Sequence, residues 1–271
     1  MPAVKPDFQA LTQAAAVTWS SGDFNEIARS LMPVAEDLVR DADPGPGQRV
    51  LDIGCGSGNV ALVAARRYCD VAGIDIAENL IERARARAAA EGLQVDFRTG
   101  DAQALPFEDE SFDLVTSVFG IMFAPDQPKA AAEALRVCRR GGRIALANWM
   151  PEGFGIDFFG AHARHAPPPA GMPSPLDWGT EEGVSRLYGG QLKDVSLERR
   201  TSTVYYRSIA HYLEVHAASF GPTIRALERV GPDGAEALLA DIAAVVEKYN
   251  RASDGTVRMP CNYLQVLGTR A

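Results

Sequence analysis

The sequence has no run of apolar residues long enough to cross a bilayer; its most apolar stretch, 115–124, is too short. It also has no excess of positive charge: 27 Lys and Arg stand against 35 Asp and Glu, a formal net charge of −8. Nucleic acids and anionic membrane surfaces are held through Lys/Arg excess, so neither is expected as a partner. Cysteine is scarce. Cys55, Cys69, Cys138 and Cys261 are widely spaced, with no CxxC pair and no nearby His to complete a zinc site, so no metal is expected and the thiols read as reduced. Internal repeats and low-complexity tracts are absent, and the start of the sequence has no basic segment followed by an apolar run, which leads to the expectation of a cytoplasmic protein. What is present is ordinary for a folded enzyme-sized chain: 46% hydrophobic and 23% charged residues over 271 positions, enough for one large α/β core with an elaboration.

From Phe24 the apolar residues Ile27, Leu31, Val34 and Leu38 recur at helical spacing behind Asp23, which predicts an amphipathic helix kinked at Pro33. Turn formers across 41–48 end it, so residues 1–48 are read as an N-terminal helical segment and 49–271 as the main domain. Strand patterns at 49–53, 71–74, 95–98, 112–118 and 143–148 alternate with helical ones at 59–68, 78–91 and 127–140. That alternation predicts βαβ units and a parallel sheet covered on both faces, whose ligands bind beyond the carboxyl ends of the strands. After Trp149 the pattern turns to Gly, Pro and aromatics, and residues 150–190 are read as an inserted lid that shapes the specificity pocket. A strand at 195–206, helices at 209–220 and 235–249, and a last strand at 257–268 complete the chain. The apolar face Leu238, Leu239, Ile242, Val245 and Val246 could serve the core or a homodimer contact.

The strongest local signal is Val50-Leu-Asp-Ile-Gly-Cys-Gly-Ser-Gly-Asn59, between a turn-rich linker and a helix. Gly54, Gly56 and Gly58 permit tight turns and close approach by a nucleotide-like ligand. The run from Gly56 to Ala61 also satisfies the dinucleotide fingerprint, with Asp75 at the ribose-binding distance, so an NAD(P)-dependent oxidoreductase stays open, as does a catalytically silent cofactor-binding scaffold. Asp52, ahead of the glycines, gains nothing from a pyrophosphate and suits a cationic ligand. Asp101 and Ala102 follow the third strand, where the acid could accept a hydrogen bond from an exocyclic amine.

Taken together, VLDIGCGSG, GIDIAENLIERA, GDAQALPFEDESFDLV and LRVCRRGGRIAL, in this order over residues 49–150, resemble the class I S-adenosylmethionine-dependent methyltransferases, in the broad group that includes the ubiquinone and menaquinone methyltransferases. The resemblance implies a Rossmann-like, doubly wound, mostly parallel seven-stranded sheet with helices on both faces, its last strand antiparallel. It implies S-adenosylmethionine as cofactor, S-adenosylhomocysteine as product and no required metal. Carried over, Asp52, Gly54, Cys55, Gly56 and Gly58 form the loop around the methionine end. Asp75 binds the ribose with Ile76 against the adenine, Asp101 and Ala102 face the ring, and Ser117, Val118 and Phe119 border the substrate. Trp19 and Phe24 are candidates to close over the cofactor. The partner implied is a small-molecule acceptor, methylated on O, N, S or C by in-line displacement. A base is useful for some of these acceptors; His162 and His165 in the expected lid are the candidates, with His211 and His216 farther along the chain.

Overall fold

The computed structural model describes residues 6–169 and 171–271; the first five residues of the N-terminal segment and Ala170 of the expected lid lie outside it. The chain opens with helices α1 (Phe8–Trp19), α2 (Asn25–Ala28) and α3 (Met32–Ala42). The continuous helix expected from Phe24 is broken: a 3₁₀ turn over Arg29–Leu31 separates α2 from α3, and Pro33 sits in the first turn of α3, where its missing N–H costs nothing.

Then come β1 (Arg49–Ile53), α4 (Asn59–Ala65), β2 (Asp70–Asp75), α5 (Glu78–Ala90), β3 (Asp96–Thr99), β4 (Phe112–Val118), α6 (Gln127–Val137) and β5 (Cys138–Trp149). The rest is α7 (Gly153–His165), α8 (Glu181–Tyr188), β6 (Leu192–Tyr206), α9 (Ile209–Ser219), α10 (Gly221–Tyr249) and β7 (Val257–Arg270). The strands form one sheet in the order β3-β2-β1-β4-β5-β7-β6, and β7 runs antiparallel to both of its neighbours. The expected seven-stranded, doubly wound, mostly parallel sheet is what the chain forms. Central strands are buried on both faces, as Val50, Leu51 and Ile53 show, because helices cover each side.

Helix α6 illustrates how the sequence sets an element. Asp126 caps it by accepting from Lys129 N at 3.1 Å, and Ala130, Ala131, Ala134 and Leu135 form the buried face. Gly141 and Gly142 lie in a bulge inside β5, whose register against β4 slips between Phe112 and Leu114. Asp113 holds this edge, accepting from Arg49 N at 2.8 Å and Arg139 Nε at 2.6 Å.

The segment expected as a lid divides between two packing environments. Helix α7 packs with α9 and α10 into a cap beside the sheet, whereas Trp178 and Tyr188 are fully buried in the main core. In α10 the chain breaks at Gly231, φ +65°, before Pro232, and the predicted 235–249 helix is its second half. Leu238, Ile242 and Val246 are buried against Tyr212, Val204 and Met259, so the monomer's own cap takes up this apolar stripe. No helix of the described residues is long and apolar enough to cross a membrane, and the four cysteines are free and buried.

Candidate active site

The sheet order reverses between β1 and β4, and the crevice beyond their carboxyl ends is the place where an open α/β sheet binds ligands. A cleft lies there. Gly54 takes φ +64° where β1 leaves the sheet, and a Cβ on it would come within 2.6 Å of Gly120 Cα at the end of β4. The two glycines let the strand ends meet. Gly56 takes φ +52° and lines the cleft, and a Cβ there would meet no protein atom within 4 Å. Arg87 of α5 clamps the loop from behind, donating to Ser57 O at 2.7 Å and Asn59 Oδ1 at 2.8 Å.

Three carboxylates line the cleft, from the ends of three adjacent strands, with no Lys, Arg or His among the lining residues. Asp52 is fully buried; it accepts from Ala61 N at 3.2 Å and lies 3.4 Å from Thr116 Oγ1. Burial without a cationic partner pushes its carboxyl up to about 8. Asp75 accepts from Gly56 N at 2.8 Å and Ala77 N at 2.9 Å, tying the glycine loop to the start of α5, and burial raises it too. Asp101 accepts from the Gln103 amide at 2.9 Å; Gln103 in turn donates to Thr12 of α1 at 2.8 Å and accepts from Asp126 N at 2.8 Å. Ile76 and Ala102 line the same cleft. Cys55 is buried at the loop, its thiol raised by that burial and the neighbouring acids.

Asp52 gives a stability signature with a definite sign. Its folded value of about 8 lies above the ordinary 3.8, so its stabilising share is complete below about pH 4 and is lost as pH rises through about 8. Between these limits wild type is expected to lose melting temperature relative to Asp52→Asn, which can still accept from Ala61 N. Parallel melting curves for the two proteins across that range would remove the raised carboxyl from the account.

The residues after β4 divide. Ser117 does not line the cleft: its hydroxyl donates to Ile53 O at 2.6 Å and accepts from Ile121 N at 2.9 Å, so it stitches β4 to β1. Val118 and Phe119 do line it. Phe119 has φ +53°, unusual for a bulky side chain, and its ring stacks on Trp149 at 3.6 Å and meets Tyr263 edge-on. Held in this way, Phe119 is shared with a second, aromatic pocket that opens beside the cleft.

Trp19 and Phe24 also line both cavities, 5.6 Å apart edge-to-face. The segment that carries them packs Trp19 against Phe123 and Phe220 and is tied by Arg83 to Asp23 at 2.6 Å, Asn79 to Gly22 O at 3.2 Å, and Asn59 to Ala28 O at 2.8 Å.

Neither of the two histidines expected over the acceptor lines the cleft or the aromatic pocket. His165 binds Asp241 at 2.9 Å and lines neither cavity. His162 is buried with both nitrogens engaged, Nδ1 donating to Phe158 O and Nε2 accepting from Thr223 Oγ1, each at 2.9 Å. The histidine that lines the aromatic pocket is His216. The sequence holds a signal for it: Tyr212, His216 and Phe220 are four residues apart, one face of a helix.

A family described as a methyltransferase domain matches residues 51–146. An uncharacterised protein of Mycobacterium tuberculosis is 38% identical over 236 residues, covering 85% of this chain and 86% of its own. Nocamycin O-methyltransferase of Saccharothrix syringae is 42% identical over 123 residues, 44% of each chain. Among solved structures, the YcgJ protein of Bacillus subtilis superimposes with a TM-score of 0.59 at 21% identity, over 87% of this chain and 97% of that one, a likeness of fold.

Proposed function

The chain belongs to the class I S-adenosylmethionine-dependent methyltransferases, and we propose that it moves the methyl group to a small apolar acceptor held in the aromatic pocket beside Phe119. The observation that carries this reading is the pairing of a carboxylate-lined cleft with that pocket across a shared wall of Trp19, Phe24 and Phe119.

The cleft fits the methionine-bearing nucleoside better than a dinucleotide. A pyrophosphate would meet Asp52, Asp75 and Asp101 with no lining cation to offset them. An ammonium and a sulfonium, by contrast, complement the buried Asp52. In this reading Asp75 takes the ribose hydroxyls, Ile76 and Ala102 flank the adenine with Asp101, and the Gly54–Gly58 loop surrounds the methionine end. Bound S-adenosylmethionine supplies an already activated methyl group. The chain's own work is alignment and exclusion of water: Phe119, fixed by its stack on Trp149, sets the boundary the acceptor approaches, and Trp19 and Phe24 close it from solvent. Transfer is then an in-line displacement.

The test is transfer itself. Protein incubated with methyl-labelled S-adenosylmethionine and a panel of apolar hydroxyl, amine and thiol compounds is expected to yield a labelled product, read by mass spectrometry. Saturable cofactor binding with no label in any compound would leave a binding scaffold instead.

A further inference from the structure

We propose that the aromatic pocket is a binding site for an uncharged aromatic compound bearing a hydroxyl group, which is oriented by His216 and Tyr212. This rests on the methyl-transfer reading above and names the acceptor class. The pocket is walled by rings, Trp149, Phe154, Phe158 and Phe220 among them, with Met259 and Cys261 at its floor on β7. No Asp, Glu, Lys or Arg lines it, so neither an anionic nor a cationic acceptor finds a counter-charge there. Flat apolar rings are complementary to such walls by offset and edge-to-face contact.

The polar side chains among the lining residues are Ser30, whose hydroxyl donates to Ile27 O at 2.7 Å, Tyr206, Tyr212 and His216. His216 Nδ1 and Tyr212 Oη are buried and have no hydrogen-bond partner among the described residues. Both residues line the pocket, and their rings stack at 3.9 Å and 19°. Leaving a buried donor or acceptor unpaired is costly, so an arrangement with two of them beside a cavity is completed by a ligand that pairs with them. His216 Nε2 is already engaged by Tyr206 Oη at 3.3 Å, which fixes the imidazole plane and leaves Nδ1 as its free edge. The groups that face His216 from the surrounding elements are Tyr206 of β6, Tyr212 of its own helix and His162 of α7, none a carboxylate. Burial holds its imidazole far below the ordinary 6.5, at about 3, so the ring is neutral at working pH. A neutral imidazole beside a phenol group offers one donor and one acceptor, the two functions that a hydroxyl can satisfy at once.

The experiment is calorimetric titration of the S-adenosylhomocysteine-loaded protein with three probes of one shape: 4-phenylphenol, biphenyl-4-carboxylate and 4-phenylbenzylammonium. The phenol is expected to bind at least about tenfold more tightly than either ion, the size of one hydrogen bond. Tyr212→Phe removes only the unpaired oxygen and keeps the packing, and His216→Gln keeps a polar side chain. Each is expected to weaken phenol binding several-fold while leaving the ions' affinity and S-adenosylhomocysteine affinity unchanged. Equal binding of the carboxylate or the ammonium, or unchanged phenol affinity in both variants, overturns the proposal. Failure of S-adenosylhomocysteine to bind at all would instead count against the methyltransferase reading, so the two failures are distinguishable.

Discussion

Gly56→Val is expected to abolish S-adenosylmethionine binding, at least a hundredfold in Kd, while the protein stays folded with a modest fall in melting temperature. Two features separate the effects. At φ +52° a valine backbone is strained by roughly 1–3 kcal/mol, which lowers stability without breaking the sheet. No protein atom lies within 4 Å of the new Cβ, so nothing in the fold resists it, and the added methyl groups take up space in the cleft that Gly56 lines. Gly54 is the contrasting case: its Cβ would meet Gly120 Cα at 2.6 Å, so even alanine forces β1 and β4 apart and costs stability first. Isothermal titration and thermal unfolding on both variants check the contrast, and full cofactor affinity in a folded Gly56→Val protein would contradict the loop's role.

Asp75→Ala is expected to weaken cofactor binding by about 1–3 kcal/mol, roughly ten- to a hundredfold, from lost charge-assisted hydrogen bonds to the ribose. The substitution also strips the acceptor from Gly56 N and Ala77 N, so the glycine loop loses its tie to α5 in the same step. Asp75→Asn, which can still accept one of those bonds, should fall between wild type and alanine. The same Kd for all three would take Asp75 out of the site.

The core of this molecule was readable because one simple rule repeats along it. Strands β1, β2 and β4 are apolar runs each followed by a helix with one buried face, and an acid stands at the ligand side of each of the first three strands, Asp52 and Asp75 within β1 and β2 and Asp101 just after β3. Helix α1 escaped notice for a physical reason: it buries none of its residues and is held by contacts such as Thr12 to Gln103, which no periodicity announces. Within 150–190, aromatic content does not say which core a ring joins: Trp178 and Tyr188 pack into the main one and Phe158 into the cap. His162 and His165 drew attention by sitting among aromatics in sequence. The aromatic pocket, however, is assembled from segments as distant as Trp19, Phe119, Phe158, His216 and Cys261, a convergence only the folded chain displays.

The most direct test of the central claim is calorimetric titration of the purified protein with S-adenosylmethionine, S-adenosylhomocysteine and NAD(H), run near neutral pH in buffers of different ionisation heat. The account predicts one site for the two adenosyl ligands and none for NAD(H). It also predicts proton release with S-adenosylmethionine, as the cationic ligand returns Asp52, raised to about 8 in the free protein, to its carboxylate. Binding of NAD(H) in place of the adenosyl ligands, or binding of none of the three, would contradict it.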